Sequence, residues 1–270
     1  MLHNDAQHEQ DLQRIRGFRL IDDDFMNACF DGNIKATELL LKVILGKSDI
    51  QVNKVTTQKQ MKNLLGRDIW LDIDAISDGT EYNIEVQRSD KGAGRKRARY
   101  HSSIIDAHAI KPAEDFELLP ESYVIFITEN DVLGDGLPIY EIDRTIRANG
   151  KLFADGEHII YVNGENKDSG TQLGKLMHDF FCTNADDMNY PELAERVRYF
   201  KENEEGVRSM CKVLEEMRND VREETTKETT VEHIKNIMDS FGVTIEKAMD
   251  SLKIPNSERA TYTGLINNAV

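Results

Sequence analysis

The sequence predicts an α/β fold that is followed by an α-helical C-terminal extension. An Asp78-Gly79 pair stands between two runs of alternating polar and apolar residues, which indicates a tight β-hairpin because both turn positions need positive φ. Residues 122–128 form an almost continuous apolar run, as is typical of a buried central strand. From about Gly174 onward, apolar residues recur at helical spacing.

The same patterns predict the other elements of the first part of the chain. In order, these are a helix from Asp24 to Leu45 that ends at Gly46, a strand at residues 50–55, the hairpin, a basic helix that ends near Ile110, the apolar strand at residues 122–128, and strands at residues 138–142 and 158–162. Up to residue 128, the order is therefore helix, three strands, helix, strand.

The hairpin sets two carboxylates side by side. If Asp78-Gly79 is a two-residue loop, counting back from it fixes the register. The predicted cross-strand pairs are Ser77 with Thr80, Asp74 with Asn83, Asp72 with Glu85, and Trp70 with Gln87. Because side chains alternate along a strand, one face is apolar and the other polar. The apolar face consists of Leu71, Ile73, Ala75, Tyr82, Ile84 and Val86, and the polar face consists of Asp72, Asp74, Asn83, Glu85 and Gln87.

Like charges directly across a β-ladder are destabilising, so Asp72 opposite Glu85 needs an explanation. A divalent cation supplies one, because ions such as Mg²⁺ bind one or two carboxylates together with water and substrate phosphate oxygens. A solvated outer face of an antiparallel sheet is the alternative, since polar residues are expected there as well. Spacing alone leaves both interpretations open.

Six motifs along the chain, taken together and in order, resemble one family. They are Leu71-Asp72-Ile73, Asn83-Ile84-Glu85-Val86-Gln87, Arg97-Ala98-Arg99-Tyr100-His101, Tyr123-Val124-Ile125-Phe126-Ile127-Thr128-Glu129-Asn130, Leu176-Met177-His178-Asp179-Phe180 and Tyr199-Phe200-Lys201-Glu202. The chain thereby resembles the PD-(D/E)XK nucleases, in particular the PD-(D/E)XK nuclease family transposases, which are related to the recombination-promoting nucleases. The resemblance runs from about Asp22 to the mid-220s. It implies a restriction-endonuclease-like core, with a central mixed sheet flanked by helices.

The resemblance gives roles to three residues of the hairpin. Asp72 and Glu85 match the acidic metal ligands of the motif, and Gln87 stands where the motif usually has lysine. A lysine would bring positive charge to the attacking water and the phosphate, whereas an amide can only orient and hydrogen-bond. The departure at Gln87 bears on catalytic strength and leaves the metal site in place.

The implied reaction is hydrolysis of DNA phosphodiester bonds, with Mg²⁺ as the expected ion and Mn²⁺ or Ca²⁺ as alternatives. A cation held by Asp72 and Glu85 would polarise a phosphoryl oxygen and lower the pKa of a bound water. In this superfamily the products typically carry a 5′-phosphate and a 3′-hydroxyl. The resemblance also implies an association with mobile elements or recombination.

Two more acids are candidates for accessory roles. Asp74 shares the polar face and is either a second-metal ligand, a residue that supports the first metal, or a solvated strand acid. Glu38 interrupts the apolar stretch of the first predicted helix and is the candidate for the further acid that an upstream helix often adds in this superfamily. An exposed helix position is the alternative for Glu38.

The only concentrated positive charge in the chain follows the hairpin. The stretch contains Arg88, Lys91, Arg95, Lys96, Arg97 and Arg99, against one acid, Asp90. Arginines with tyrosine and histidine next to a metal site suit phosphate contacts, which position a nucleic acid without reading its sequence. The predicted nucleic-acid contacts are Arg88, Arg95, Arg97, Arg99, Tyr100 and His101. A solvated basic face is the alternative.

Composition limits the other classes of function. The formal net charge of −15 and the sequence pI near 4.9 lack the basic footprint of a strong nucleic-acid binder, so affinity should depend on local charge and on salt. No apolar run approaches the length of a membrane span, and the N-terminus lacks a signal-peptide layout. The three widely spaced cysteines lack CxxC pairing, which suits a reducing cytoplasm and argues against zinc.

Three regions are predicted: a nuclease core at residues 1–170, a helical extension with a charged helix or linker at residues 171–229, and a small helical module at residues 230–270. The charged stretch is a solvated helix or linker, with a pairing surface for a homodimer as the alternative. Two function classes remain open. The first is a Mg²⁺-dependent DNA endonuclease, and the second is a catalytically weak or inactive nuclease-derived protein that binds nucleic acid or another protein.

Overall fold

The computed structural model of the chain describes residues 2–63, 66–88 and 92–267. Lys91 and Asp90 of the predicted basic stretch lie outside the described residues. The helices are α1 (Leu2–Gly17), α2 (Asp23–Phe30), α3 (Ile34–Leu45), α4 (Arg95–Ala109), α5 (Gln172–Phe181), α6 (Pro191–Glu202), α7 (Glu204–Phe241), α8 (Ile245–Ser251) and α9 (Asn256–Asn267). The strands are β1 (Lys54–Met61), β2 (Ile69–Ser77), β3 (Thr80–Gln87), β4 (Ser122–Thr128), β5 (Ile139–Ile142) and β6 (Glu157–Asn163).

These strands form one mixed, open sheet in the order β1-β2-β3-β4-β6-β5. The first three make an antiparallel meander, β4 lies parallel to β3, and β6 lies parallel to β4. Every residue of β4 is buried, so the predicted central strand is confirmed. Helices flank the sheet, and the chain is an α/β protein as expected.

Two of the predicted elements are wrong in detail. The single helix expected from Asp24 to Leu45 is two helices, because Gly32 adopts a φ of 60° and the Asn33 side chain accepts a hydrogen bond from the Ala36 N–H, which starts α3. The strand expected at residues 50–55 begins only at Lys54. The apolar residues before it are buried in a loop, whereas β1 itself is mostly polar and carries little of the periodic signal.

The hairpin has the predicted turn, and its register is confirmed near that turn. Asp78 and Gly79 have φ values of 46° and 85°. Five pairs match the prediction, from Ser77 with Thr80 to Ile73 with Ile84. Beyond Ile73, the described part of the β2–β3 ladder has no further backbone pair, so the expected pairs of Asp72 with Glu85 and of Trp70 with Gln87 are not formed. The two strands separate at Asp72.

The polar face of the hairpin is covered, and the alternative of a solvated outer face is therefore wrong. Asn83 and Glu85 are fully buried because α4 packs over them, and Asp74 is 1% exposed. Ile73, Ala75, Ile84 and Val86 are also fully buried. Leu71 departs from the predicted alternation, which places it on the face opposite to Asn83 and Glu85. It packs in one apolar cluster with Val124 and Phe126, the β4 residues that pair with Asn83 and Glu85. The strand geometry thus changes at Asp72.

The chain divides into two compact units, Met1–Cys211 and Lys212–Val270. In the first unit, α5 and α6 pack against α3 and α2, and the Ile21 N–H donates to the Phe180 carbonyl oxygen at 3.0 Å. Residue 170, the predicted end of the nuclease core, lies inside the first of these compact units. The predicted boundary after residue 229 falls inside α7.

The second unit is a small helical module with a core of its own. Its buried residues come from the C-terminal part of α7, from α8 and α9, and from the turn that joins them: Ile234, Ala248, Met249, Ile254, Tyr262 and Ile266. Among all described helices, none is both long and apolar enough to cross a membrane.

Gly206 provides a test of the packing at the start of α7. A Cβ atom at this buried position would lie 2.2 Å from the Tyr199 carbonyl oxygen of α6. We expect Gly206→Ala to lower the free energy of unfolding by about 1–3 kcal/mol, because backbone must move to admit the methyl group. Urea unfolding monitored by circular dichroism measures the change.

Gly264→Ala is the matched control. Gly264 lies inside α9 with no atom within 4 Å of the added Cβ, so the substitution should stabilise its helix by up to about 1 kcal/mol. Equal stability of Gly206→Ala and the wild-type protein would contradict the close approach of α6 and α7.

Candidate active site

Asp72 and Glu85 lie where β2 and β3 separate, and each carboxylate binds the backbone of the opposite strand. The Val86 N–H donates to Asp72 Oδ2 at 3.0 Å, and the Asp72 N–H donates to Glu85 Oε1 at 3.3 Å. On the other side of β2, the residue facing this point is Gln58, with a φ of 51°. Side chains thus take the place of ladder hydrogen bonds and hold the two acids at the opening between the strands.

Glu85 is the buried member of the pair. Its Oε1 also accepts from Asn83 Nδ2 at 2.9 Å, and its Oε2 accepts from Arg97 Nη2 at 3.2 Å. Asp72 is only half-buried, and its Oδ1 has no hydrogen-bond partner among the described residues. Asp72 is therefore the carboxylate that solvent can reach.

The environment of the pair disfavours its negative charge. Burial raises the pKa of Glu85 to about 8, and the neighbouring charge of Asp72 acts in the same direction. Burial also raises the pKa of Asp72 to about 6, with a further contribution from the carboxylate of Asp23. Arg97 opposes both shifts, but it does not cancel them. A divalent cation would relieve the repulsion and restore the ionised form of both acids.

His101 supports Glu85 from α4 and carries no charge. It is 3% exposed, and burial lowers its pKa to about 4. Its Nε2 lies 3.3 Å from the donating Arg97 Nε, and its Nδ1 lies 3.4 Å from Asn83 Oδ1. The tautomer that suits both partners carries its proton on Nδ1. His101, one of the predicted nucleic-acid contacts, orients the Asn83 amide, which in turn holds Glu85.

An acid that the sequence interpretation missed lies next to the pair. Asp23, in the first turn of α2, is close enough for its charge to raise the pKa of Asp72. The adjoining Asp22 binds Arg19 and Arg88, at 3.1 Å in each case, and Glu129 binds the same two arginines. The run of three aspartates was a signal, but acids in a first helical turn are also expected from the helix dipole alone.

The two predicted accessory acids have other partners. Asp74 Oδ2 binds Lys59 Nζ at 2.7 Å, and the same ammonium lies 3.3 Å from Glu81. Glu38 binds Lys42 Nζ at 2.6 Å and accepts from the Val52 N–H. The upstream-helix acid whose charge acts on Asp72 is Asp23 of α2, whereas Glu38 of α3 anchors the loop before β1.

Gln87 ends β3, half-buried, two residues beyond Glu85 on the same strand. It pairs with Thr128 of β4, and its carbonyl oxygen accepts from the Glu129 N–H at 3.0 Å. By alternation its side chain belongs to the face of Glu85. Gln87 thus lies at the end of β3, on the face of the strand that carries Glu85.

A groove of about 950 Å³ opens beside this site, between α4 and the segment that leads into β2. Its lining residues are Gly66, Arg67, Asp68, Ile69, Trp70, Lys96, Arg97, Arg99, Tyr100, His101 and Ser103. Arg97, Arg99, Tyr100 and His101 are predicted nucleic-acid contacts, and Arg67, Lys96 and Trp70 line the same groove without being among those predicted. The sequence pattern does not indicate that the segment before β2 lies next to α4, because only the fold brings the two together.

The other two predicted contacts lie outside the groove lining. Arg88 binds Asp22 at 3.1 Å and Glu129 at 3.4 Å, so its charge serves the interaction between α2 and the end of β4. Arg95 is exposed at the start of α4. The groove therefore lies along α4 beyond its first residue.

A second cluster of potential metal ligands, His178, Asp179 and Cys182, lies at the end of α5. The carboxylate of Asp179 already accepts hydrogen bonds from the protein. Asp179 is fully buried and accepts from the N–H groups of Asn189 and Tyr190, each at 2.8 Å, which fixes the start of α6. This cluster is therefore a structural connection between two helices.

Comparison of the chain with protein-family models, with curated proteins and with solved structures finds no match. Its function must therefore be inferred from the site itself.

Replacing Glu85 tests the electrostatics of the site. An acid whose pKa is raised by folding binds more protons in the folded state, so stability falls as pH rises through the window from its ordinary 4.5 to about 8. We expect Glu85→Gln to raise the unfolding temperature at the upper end of this window in EDTA, and to have little effect at its lower end. Thermal unfolding at a series of pH values measures the difference in unfolding temperature between this variant and the wild-type protein.

Glu141→Gln, at an exposed position of β5, is the control and should leave the pH profile unchanged. A Glu85→Gln profile that runs parallel to the wild-type curve would contradict the buried, repelled carboxylate.

Proposed function

We propose that the protein is a Mg²⁺-dependent DNA endonuclease, in which Asp72 and Glu85 hold the ion. The observation that carries the proposal is the pair of carboxylates, held at the opening between β2 and β3, beside a groove with basic walls. Perturbed acids in or next to a cleft are typical of functional sites. In this case, a bound cation would offset the repulsion between the two carboxylates.

The order of elements supports the same proposal. From α3 to β4, the chain runs helix, three-stranded antiparallel meander, helix, and a strand parallel to β3. This is the order expected of the restriction-endonuclease-like core that the motifs resemble, and the two acids lie on its second and third strands. We therefore propose that the sheet of the first unit is such a core.

The donor set fits Mg²⁺ better than a softer metal. Mg²⁺ is usually bound by one or two carboxylates, and water and substrate phosphate oxygens complete its octahedron. Asp72 and Glu85 supply two carboxylates, and Asp72 Oδ1 has no protein donor among the described residues. When bound, the ion would polarise a phosphate oxygen and lower the pKa of a water molecule.

The protein's own groups orient the acids and the substrate. Asn83 and the Asp72 N–H fix the Glu85 carboxylate, and the Val86 N–H fixes Asp72. Arg97 touches Glu85 and also lines the groove, with 41% of its side chain exposed, so it can donate to a phosphate there. Gln87 can hydrogen-bond to water or phosphate but adds no charge.

One observation favours the second candidate, a nuclease-derived protein that binds DNA without cleaving it. Glu85 is fully buried, and both of its oxygens already accept hydrogen bonds from the protein. If Arg97 stayed on Glu85, its guanidinium would neutralise that carboxylate in place of a metal ion. Together with the missing lysine at Gln87, this arrangement would give binding without turnover.

Plasmid nicking separates the two candidates. Purified protein should convert supercoiled plasmid to the nicked form with Mg²⁺ or Mn²⁺ and not in EDTA, leaving 5′-phosphate ends. Asp72→Asn should lower the rate by about a hundredfold or more, because one of the two ligands loses its charge. Asp78→Asn is the matched control: Asp78 lies in the exposed turn, where asparagine tolerates a positive φ.

Cleavage that survives Asp72→Asn would refute the assignment of the site. Absence of cleavage by the wild-type protein with Mg²⁺, Mn²⁺ and Ca²⁺ alike would favour the second candidate.

Gln87→Lys tests the missing charge. A cation at this end of β3 would stabilise the negative charge that develops on the phosphate, so we expect the nicking rate to rise by about tenfold. Gln51→Lys adds the same charge at an exposed position before β1 and should change the rate little. An unchanged nicking rate for Gln87→Lys would show that the glutamine amide is as effective as a lysine at this position.

A further inference from the structure

Trp70 is the only tryptophan of the chain, and its side chain is largely open to solvent. It is 52% exposed, although Ile69 and Leu71 on either side of it are buried. Within the described part of the chain, its indole makes no hydrogen bond and no ring contact with another residue. Trp70 lies in the wall of the groove, two residues from Asp72, which is about 7 Å along an extended strand.

The groove wall around Trp70 is fixed to α4 by polar contacts. The Tyr100 hydroxyl accepts from Asn63 Nδ2 at 2.9 Å and donates to the Arg67 carbonyl oxygen. Asp68 accepts from the Asn63 N–H at 2.8 Å. Tyr100 therefore ties the segment before β2 to α4, and the free aromatic face of the groove belongs to Trp70.

The charge of the groove is opposite to that of the whole chain. Its lining contains four basic residues, Arg67, Lys96, Arg97 and Arg99, against one acid, Asp68. Arg97 is paired with Glu85, whereas Arg67, Lys96 and Arg99 have no ion-pair partner among the described residues. In a chain with a net charge of −15, this local excess suits a polyanion.

An exposed indole between cations distinguishes an unpaired strand from a duplex. The bases of a duplex are stacked on one another, so the outside of the helix offers phosphates and base edges but no open ring face. An unpaired strand offers both phosphates for the cations and a ring face for stacking. We propose that the groove binds an unpaired DNA strand, with one base stacked on Trp70.

This inference rests on the proposed endonuclease function and defines the form of its substrate. The stacked nucleotide would lie next to Asp72, so the bond to be cut would be in, or at the edge of, an unpaired segment. Single strands, flaps and gapped duplexes have such a segment, and blunt duplexes do not.

Fluorescence of the single tryptophan provides a direct readout. The full chain, in EDTA and low salt so that no cleavage occurs, is titrated with a single-stranded oligonucleotide and with a blunt duplex of the same sequence. Stacking should quench the fluorescence with the single strand, which should bind at least about tenfold more tightly than the duplex.

Variants then assign the effect to the groove. Trp70→Ala should weaken single-strand binding by about tenfold or more in an anisotropy assay, and Trp70→Phe should retain most of it. Phe116→Ala removes an exposed ring outside the groove and should have no effect. Arg99→Gln should lower the affinity and its dependence on salt, whereas Arg147→Gln, which is also exposed, should not. Circular dichroism confirms that each variant is folded.

The outcomes separate this inference from the proposed function. If the protein nicks DNA but binds the duplex as tightly as the single strand, or if Trp70→Ala binds the single strand normally, the groove proposal is overturned and the endonuclease stands. If Trp70 is required for strand binding but no metal ion supports cleavage, the endonuclease fails and the strand-binding groove stands. Absence of binding to both forms overturns the groove proposal.

Discussion

The exchange of hydrogen bonds at Asp72 and Glu85 is the interaction on which the site depends. Each carboxylate accepts a hydrogen bond from a backbone N–H of the opposite strand. These bonds fix both side chains at the level of the sheet. Two like charges in this position repel each other, and groups of α4 reduce that cost. The Arg97 guanidinium donates to Glu85, and the neutral His101 orients Asn83, which also donates to Glu85. Burial raises both pKa values, and a cation bound between the two carboxylates would lower them again.

Ion pairs hold several of the other charges on and around the sheet. Lys59 bridges Asp74 and Glu81 on one side of the site. On the other side, Asp22 and Glu129 share two arginines. The strongly acidic composition therefore says little about the groove, where basic residues prevail. Local field near a cleft, and not the sum over the chain, decides what the cleft can bind.

Signals confined to a few neighbouring residues were the most dependable. The Asp-Gly turn, the register beside it and the limits of β4 are confirmed because turn chemistry and a continuous apolar run determine them locally. The break at Gly32 and the shifted start of β1 were missed, since a glycine inside an apolar helical pattern is compatible with either outcome and a polar strand resembles a loop.

The sequence by itself determined the α/β class, the hairpin and the adjacency of Asp72 and Glu85, because all three depend on residues that are close in the chain. Only the tertiary structure decided that the polar face is buried, that the charge of Asp23 and not of Glu38 acts on Asp72, and that the segment around Trp70 forms a groove with α4. These features bring together elements separated by tens of residues. Spacing along the chain carries no information about such distant packing, because it depends on which helix covers which face of the sheet.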